Sequence, residues 1–103
     1  MEKNTPHYAL SVVKDEVRRQ GAKAFTQVAL RSGKRMGLNL RDMELVICSL
    51  ERRMLYKSMT GYTDHRSWQD VYHTTFHEME LYIKVTYCPK GGPPVISFKE
   101  QNV

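Results

Sequence analysis

After Arg53 the spacing of apolar residues changes from the helical period to strict alternation, and that switch sets what the chain can fold into. Before it, apolar residues recur three and four apart. After it, Leu81, Ile83, Val85 and Tyr87 alternate with Glu80, Tyr82, Lys84 and Thr86, the pattern of a strand with one buried and one wet face. Helices first and strands second point to an α+β fold rather than to repeating βαβ units. With 103 residues and no repeat, linker or low-complexity tract, the chain reads as one domain, 1–103.

Three helices are predicted. Thr5 followed by Pro6 reads as a cap with proline at the first helical position, Leu10, Val13 and Val17 form the apolar stripe, and Gly21 ends it. A second helix runs from about Phe25 to Met36, with Val28 and Leu30 inward and Gly37 as its stop. The third has Asn39 as cap, Asp42 at the third helical position, and a stripe of Leu40, Met43, Val46, Ile47 and Leu50. Strands follow at Met54–Met59 and Trp68–His73, joined by a turn over 60–64. Two more come at Glu80–Tyr87 and Val95–Glu100, the last with Ile96 and Phe98 inward and Ser97 and Lys99 outward. Between these two, the glycines and prolines of Pro89–Pro94 make a turn. The expected architecture is an antiparallel sheet of four to six strands with about three N-terminal helices on one face.

That leaves the other face of the sheet uncovered, displaying Tyr82, Lys84, Ser97 and Lys99. If Lys57 and Gln69 lie on the same side, they add a third cation and an amide to its phenol. Metal-free RNA cleavage needs such groups: a base for the ribose 2′-OH, an acid for the leaving 5′-oxygen and cations for the phosphorane. Crowded lysines lower one another's pKa, so one can serve as a base near neutral pH. A tyrosine can pass a proton or stack on a base. The formal net charge of +5 and pI near 9.4 favour an anionic partner.

Other groupings carry less. His73 and His77 are four apart, which suits metal ligation only where both share a helix turn, and they fall in a strand and its following turn. His65 belongs to a turn and His7 to the first turn of a helix. Cys48 and Cys88 each sit in an apolar stretch and read as buried, reduced thiols, with neither the spacing nor the co-ligands of a zinc site. Ser58 and Ser97 lack a base partner. The second and third helices superficially resemble a helix-turn-helix, but Asp42 and Glu44 stand where base-contacting residues would be. No apolar run approaches the roughly 20 residues that span a bilayer, and the polar start Met1–Thr5 does not read as a signal peptide, so a cytoplasmic protein is expected.

The stretch Leu55-Tyr56-Lys57-Ser58-Met59-Thr60, then Tyr62, Asp64-His65 and Trp68-Gln69-Asp70-Val71-Tyr72, resembles the signature of the MqsR family, toxins of bacterial type II toxin–antitoxin systems. Leu81-Tyr82-Ile83-Lys84, Val95-Ile96-Ser97-Phe98-Lys99-Glu100 and the opening Thr5-Pro6-His7-Tyr8 with Val13-Lys14 are similar in order and spacing. The resemblance implies a fold like RelE and compact microbial ribonucleases. It also implies metal-independent, ribosome-independent cleavage of single-stranded mRNA at GC-containing triplets, leading to growth arrest. Its catalytic residues fall on Lys57, Gln69, Tyr82 and Lys99, with Met59, Lys84 and His73 as RNA contacts. It implies no cofactor, and a cognate zinc-containing, DNA-binding antitoxin through which alone this chain would meet DNA. Two departures stand out: His73 occupies a position where relatives carry arginine, and the Pro89–Pro94 turn is longer. The competing reading is a non-catalytic RNA- or antitoxin-binding module of the same fold.

Overall fold

A computed structural model describes residues 1–61 and 67–101. The elements run β1 (Glu2–Lys3), α1 (Leu10–Gln20), α2 (Gln27–Arg35), α3 (Leu40–Ser49), β2 (Leu55–Thr60), β3 (Trp68–Phe76), β4 (Met79–Val85) and β5 (Val95–Glu100). The strands form one antiparallel sheet in the order β1-β2-β3-β4-β5, each beside its neighbour in sequence. The expected α+β architecture is therefore present, with five strands and three α-helices among the described residues. Among the described residues no helix is long and apolar enough to cross a membrane. The turn expected over 60–64 and the turn position of His65 lie largely outside the described residues.

The core forms between the helices and one face of the sheet. Val13 and Val17 from α1, Ala29 from α2 and Met43, Val46 and Ile47 from α3 bury against Tyr72, Leu81, Ile83, Val85 and Phe98. α3 is built as its sequence dictates. The Asn39 Oδ1 accepts from the Asp42 N–H at 2.8 Å, and Asp42 Oδ2 accepts from the Asn39 N–H at 3.0 Å, a reciprocal capping box.

α1 starts later than Thr5–Pro6 suggests, with Ala9 at the cap position. The reason is long-range. The N–H groups of His7 and Tyr8 donate to the Asp70 carboxylate at 2.9–3.0 Å, so this segment is held in bends against β3 instead of opening a helix. His7 accordingly precedes the helix, and its ring stacks on Trp68 at 5.0 Å. The short β1 also went unread, since two residues carry no periodicity.

α2 is capped by Thr26, whose Oγ1 accepts from the Ala29 N–H at 3.1 Å. Its buried face is Ala29 and Gly33, while Val28 is 62% exposed and Leu30 only partly covered. The expectation that Val28 faces inward is thus corrected. Small residues face the core because the Met43 side chain of α3 lies against them, where a Cβ on Gly33 would overlap Met43 Sδ. In β5, Val95 turns inward opposite Val85, and Ile96 is the extra, half-buried residue where the register shifts. β4 ends at Val85, leaving Tyr87 and Cys88 beyond it; Cys88 is exposed and Cys48 half-buried, so the two thiols are not both core groups.

Candidate active site

Opposed residues of an antiparallel pair share a face, so the register decides which side chains meet. Lys57 opposes Val71, Val71 opposes Lys84, and Lys84 opposes Ser97. The row on one side holds Glu2, Met59 and Gln69. The row on the other holds His73, Tyr82 and Lys99. Lys57, Met59, Gln69, His73, Tyr82, Lys84 and Lys99 therefore come together on the sheet face opposite the helices. Val71, fully buried, lies in the floor beneath their longer side chains.

A shift in β2 adds one residue, Tyr56, between Leu55 and Lys57. Such a bulge re-aims side chains. The Tyr56 ring stacks on His73 with centroids 4.4 Å apart and planes 15° from parallel, and Lys57 Nζ lies 5.5 Å from the Tyr56 ring centre. Tyr82 is the second aromatic of the face, 5.8 Å from His73. The Lys99 and Lys84 ammonium groups stand 5.0 and 5.9 Å from its ring centre, within cation–π range. Aromatic rings interleaved with cations suit an RNA strand, with phosphates on the ammonium groups and bases on the rings.

The ionisations diverge. Burial pushes the Tyr82 phenol up, with the nearby Lys57 charge opposing, so the ring keeps its proton at neutral pH. Burial pushes the His73 imidazole down, with Glu80 opposing, so it is neutral at the same pH. Burial, then the charges of Lys99 and Lys57, lower Lys84. Lys57 moves the other way, because its Nζ donates to Glu2 Oε1 at 2.9 Å and that carboxylate holds the ammonium form. The depressed lysine is thus Lys84, and crowding does not make Lys57 a base.

Three contributors escaped sequence reasoning. Glu2 lies 55 positions from Lys57 and reaches it only through the two-residue β1. Tyr56 meets His73 through the pairing of β2 with β3, which no spacing within β2 reveals. On the reverse side, directly between the residues that carry Lys57 and Gln69, Ser58 Oγ donates to Asp70 Oδ1 at 2.5 Å, both residues fully buried. Two polar residues opposed on adjacent strands were the available signal for that pair.

Residues 5–100 match the family described as motility quorum-sensing regulator, toxin of MqsA. The chain is also 41% identical over 101 residues to the mRNA interferase toxin MqsR of Escherichia coli strain K12, an alignment covering 98% of this chain and 100% of that protein.

Proposed function

The chain belongs to the MqsR toxin family, and from that premise we propose that it is the endoribonuclease toxin of a toxin–antitoxin pair, cutting single-stranded mRNA on the open face of its sheet. The observation that carries this reading is the convergence, from four strands, of Lys57, Gln69, Tyr82 and Lys99 on one basic face. Cleavage proceeds by attack of the ribose 2′-oxygen on the adjacent phosphorus and departure of the 5′-oxygen. Lys57 and Lys99 bind the phosphate and stabilise the charge that grows on it. Tyr82, which retains its proton, is suited to protonate the leaving oxygen. Gln69 offers a donor and an acceptor to orient the ribose or a base. Met59, Lys84 and His73 border this set and contact the strand. An incoming phosphate displaces Glu2 from Lys57.

The family reading also carries the finer features: preference for GC-containing sites, independence of metal and of the ribosome, action in the cytoplasm, and a cognate antitoxin that binds zinc and DNA. Primer-extension mapping on a defined RNA in EDTA-containing buffer tests the proposal. Cuts at GC-containing positions are expected. Lys57→Ala and Tyr82→Ala lower the rate by about 10²–10⁴ with the fold intact, the usual weight of one acid–base or charge-stabilising group. RNA left whole by the wild-type protein overturns the enzyme reading in favour of a binding module.

A further inference from the structure

We propose that His73 is the proton acceptor of this site, taking the 2′-hydroxyl proton while Tyr82 supplies the proton to the 5′-oxygen; the assignment rests on the endoribonuclease reading above. The two side chains are directly opposed across β3 and β4, with ring centres 5.8 Å apart on the open face. An acid and a base must stand on either side of one phosphate; the Tyr56 ring is nearer, at 4.4 Å, but lies flat on the imidazole with no room between them, whereas Tyr82 is set apart and tilted by 43°.

The groups around His73 divide the labour. From β2 come Tyr56 and Lys57, from β4 Glu80, Tyr82 and Lys84, and from β5 Lys99. Lys57 is held in its ammonium form by Glu2. Lys84 moves down, but from a starting value near 10.5, and it lies one row away from Tyr82. Glu80 opposes Thr75, one row further out, and favours the imidazolium. Burial against that influence leaves a neutral imidazole near pH 7. Stacking on Tyr56 holds the ring by its face, a contact that uses neither nitrogen.

The step balances without another reactant. The 2′-O–H bond breaks and its proton passes to an imidazole nitrogen. The 2′-oxygen–phosphorus bond forms as the phosphorus–5′-oxygen bond breaks, and the 5′-oxygen takes the Tyr82 phenolic proton. The products are a 2′,3′-cyclic phosphate and a 5′-hydroxyl. Solvent then returns the His73 proton to Tyr82.

The test is a single-turnover pH–rate profile from pH 5 to 9 on a fluorescein-labelled RNA oligomer in EDTA. Wild-type protein should lose rate about tenfold per pH unit on the acid side, as the base becomes protonated. His73→Gln should lack that limb and cut about 10²-fold or more slowly at pH 7.5. His73→Ala should regain rate in a saturable way when imidazole is added. Binding of an oligomer with 2′-deoxyribose at the cleavage position, measured on each variant, confirms an intact site. An acid limb that persists in His73→Gln overturns the assignment. So does a wild-type rate that rises on acidification, the behaviour of an imidazolium clamping phosphate. No cleavage by wild-type protein at any pH instead brings down the endoribonuclease reading on which the assignment rests.

Discussion

Replacing Asp70 with alanine removes the acceptor of three donors at once. Ser58 Oγ gives to it at 2.5 Å, the His7 N–H lies 3.0 Å from both oxygens, and the Tyr8 N–H gives at 2.9 Å. Ser58 is fully buried, so its hydroxyl loses a partner that water cannot replace. An orphaned buried donor costs about 1–3 kcal/mol. The two backbone donors are only partly buried, and each falls toward the lower end of that range. The expected loss is roughly 3–5 kcal/mol, a large share of the ~5–15 kcal/mol typical of a small domain.

The assay is urea unfolding followed in parallel by far-UV circular dichroism and by the fluorescence of Trp68, the chain's single tryptophan, on which His7 stacks. Losing the Asp70 anchor should release the 5–9 segment, so the native Trp68 signal changes as well as the midpoint. Ser58→Ala combined with Asp70→Ala should cost less than the sum of the two, because they share a bond. A loss below about 1 kcal/mol with unchanged Trp68 emission would refute the reasoning, since the three bonds would then contribute almost nothing net.

Three further outcomes follow from single contacts. Glu2→Gln removes the carboxylate that holds Lys57, so an uncleavable 2′-deoxy oligomer should bind more tightly by fluorescence anisotropy; equal or weaker binding argues against displacement of Glu2 by phosphate. Gly33→Ala should gain none of the roughly 1 kcal/mol that alanine's helix propensity offers, because the new Cβ forces the Met43 thioether aside within the core; a variant stabilised by about 1 kcal/mol in urea contradicts that packing. Tyr72→Phe should gain about 1 kcal/mol, since the Tyr72 hydroxyl is buried without a partner among the described residues. Burial also pushes that phenol up to about 12 from its ordinary 10.0. The folded state thus holds the proton more tightly. The associated stability is complete below pH ~10 and lost as the pH rises through about 12, a loss the phenylalanine variant should lack in alkaline melts.

Where the sequence was legible, the determinants were local. The Asn39–Asp42 box and the stripe behind it lie within one helix, and the Tyr82/Lys84 and Ser97/Lys99 alternations lie within single strands. Thr5–Pro6 misled because the donors that would have opened a helix are captured by a carboxylate more than sixty positions away. Val28 misled because α2 turns small residues, not large ones, toward its neighbour. The site divides along the same line. Alternation alone exposes Tyr82 and Lys99, but it cannot expose Lys57, and the resemblance had to supply it. Counting straight from the inward Leu55, which opposes Tyr72, alternation sends Lys57 and Met59 into the core and Ser58 to solvent. The extra residue Tyr56 inverts that count. It turns Lys57 and Met59 outward and seats Ser58 on Asp70, while its own ring lies on His73. One irregularity in β2 therefore places Lys57 and Met59 in the proposed site and hides them from any periodic reading, and local rules tend to fail where function requires a departure from them.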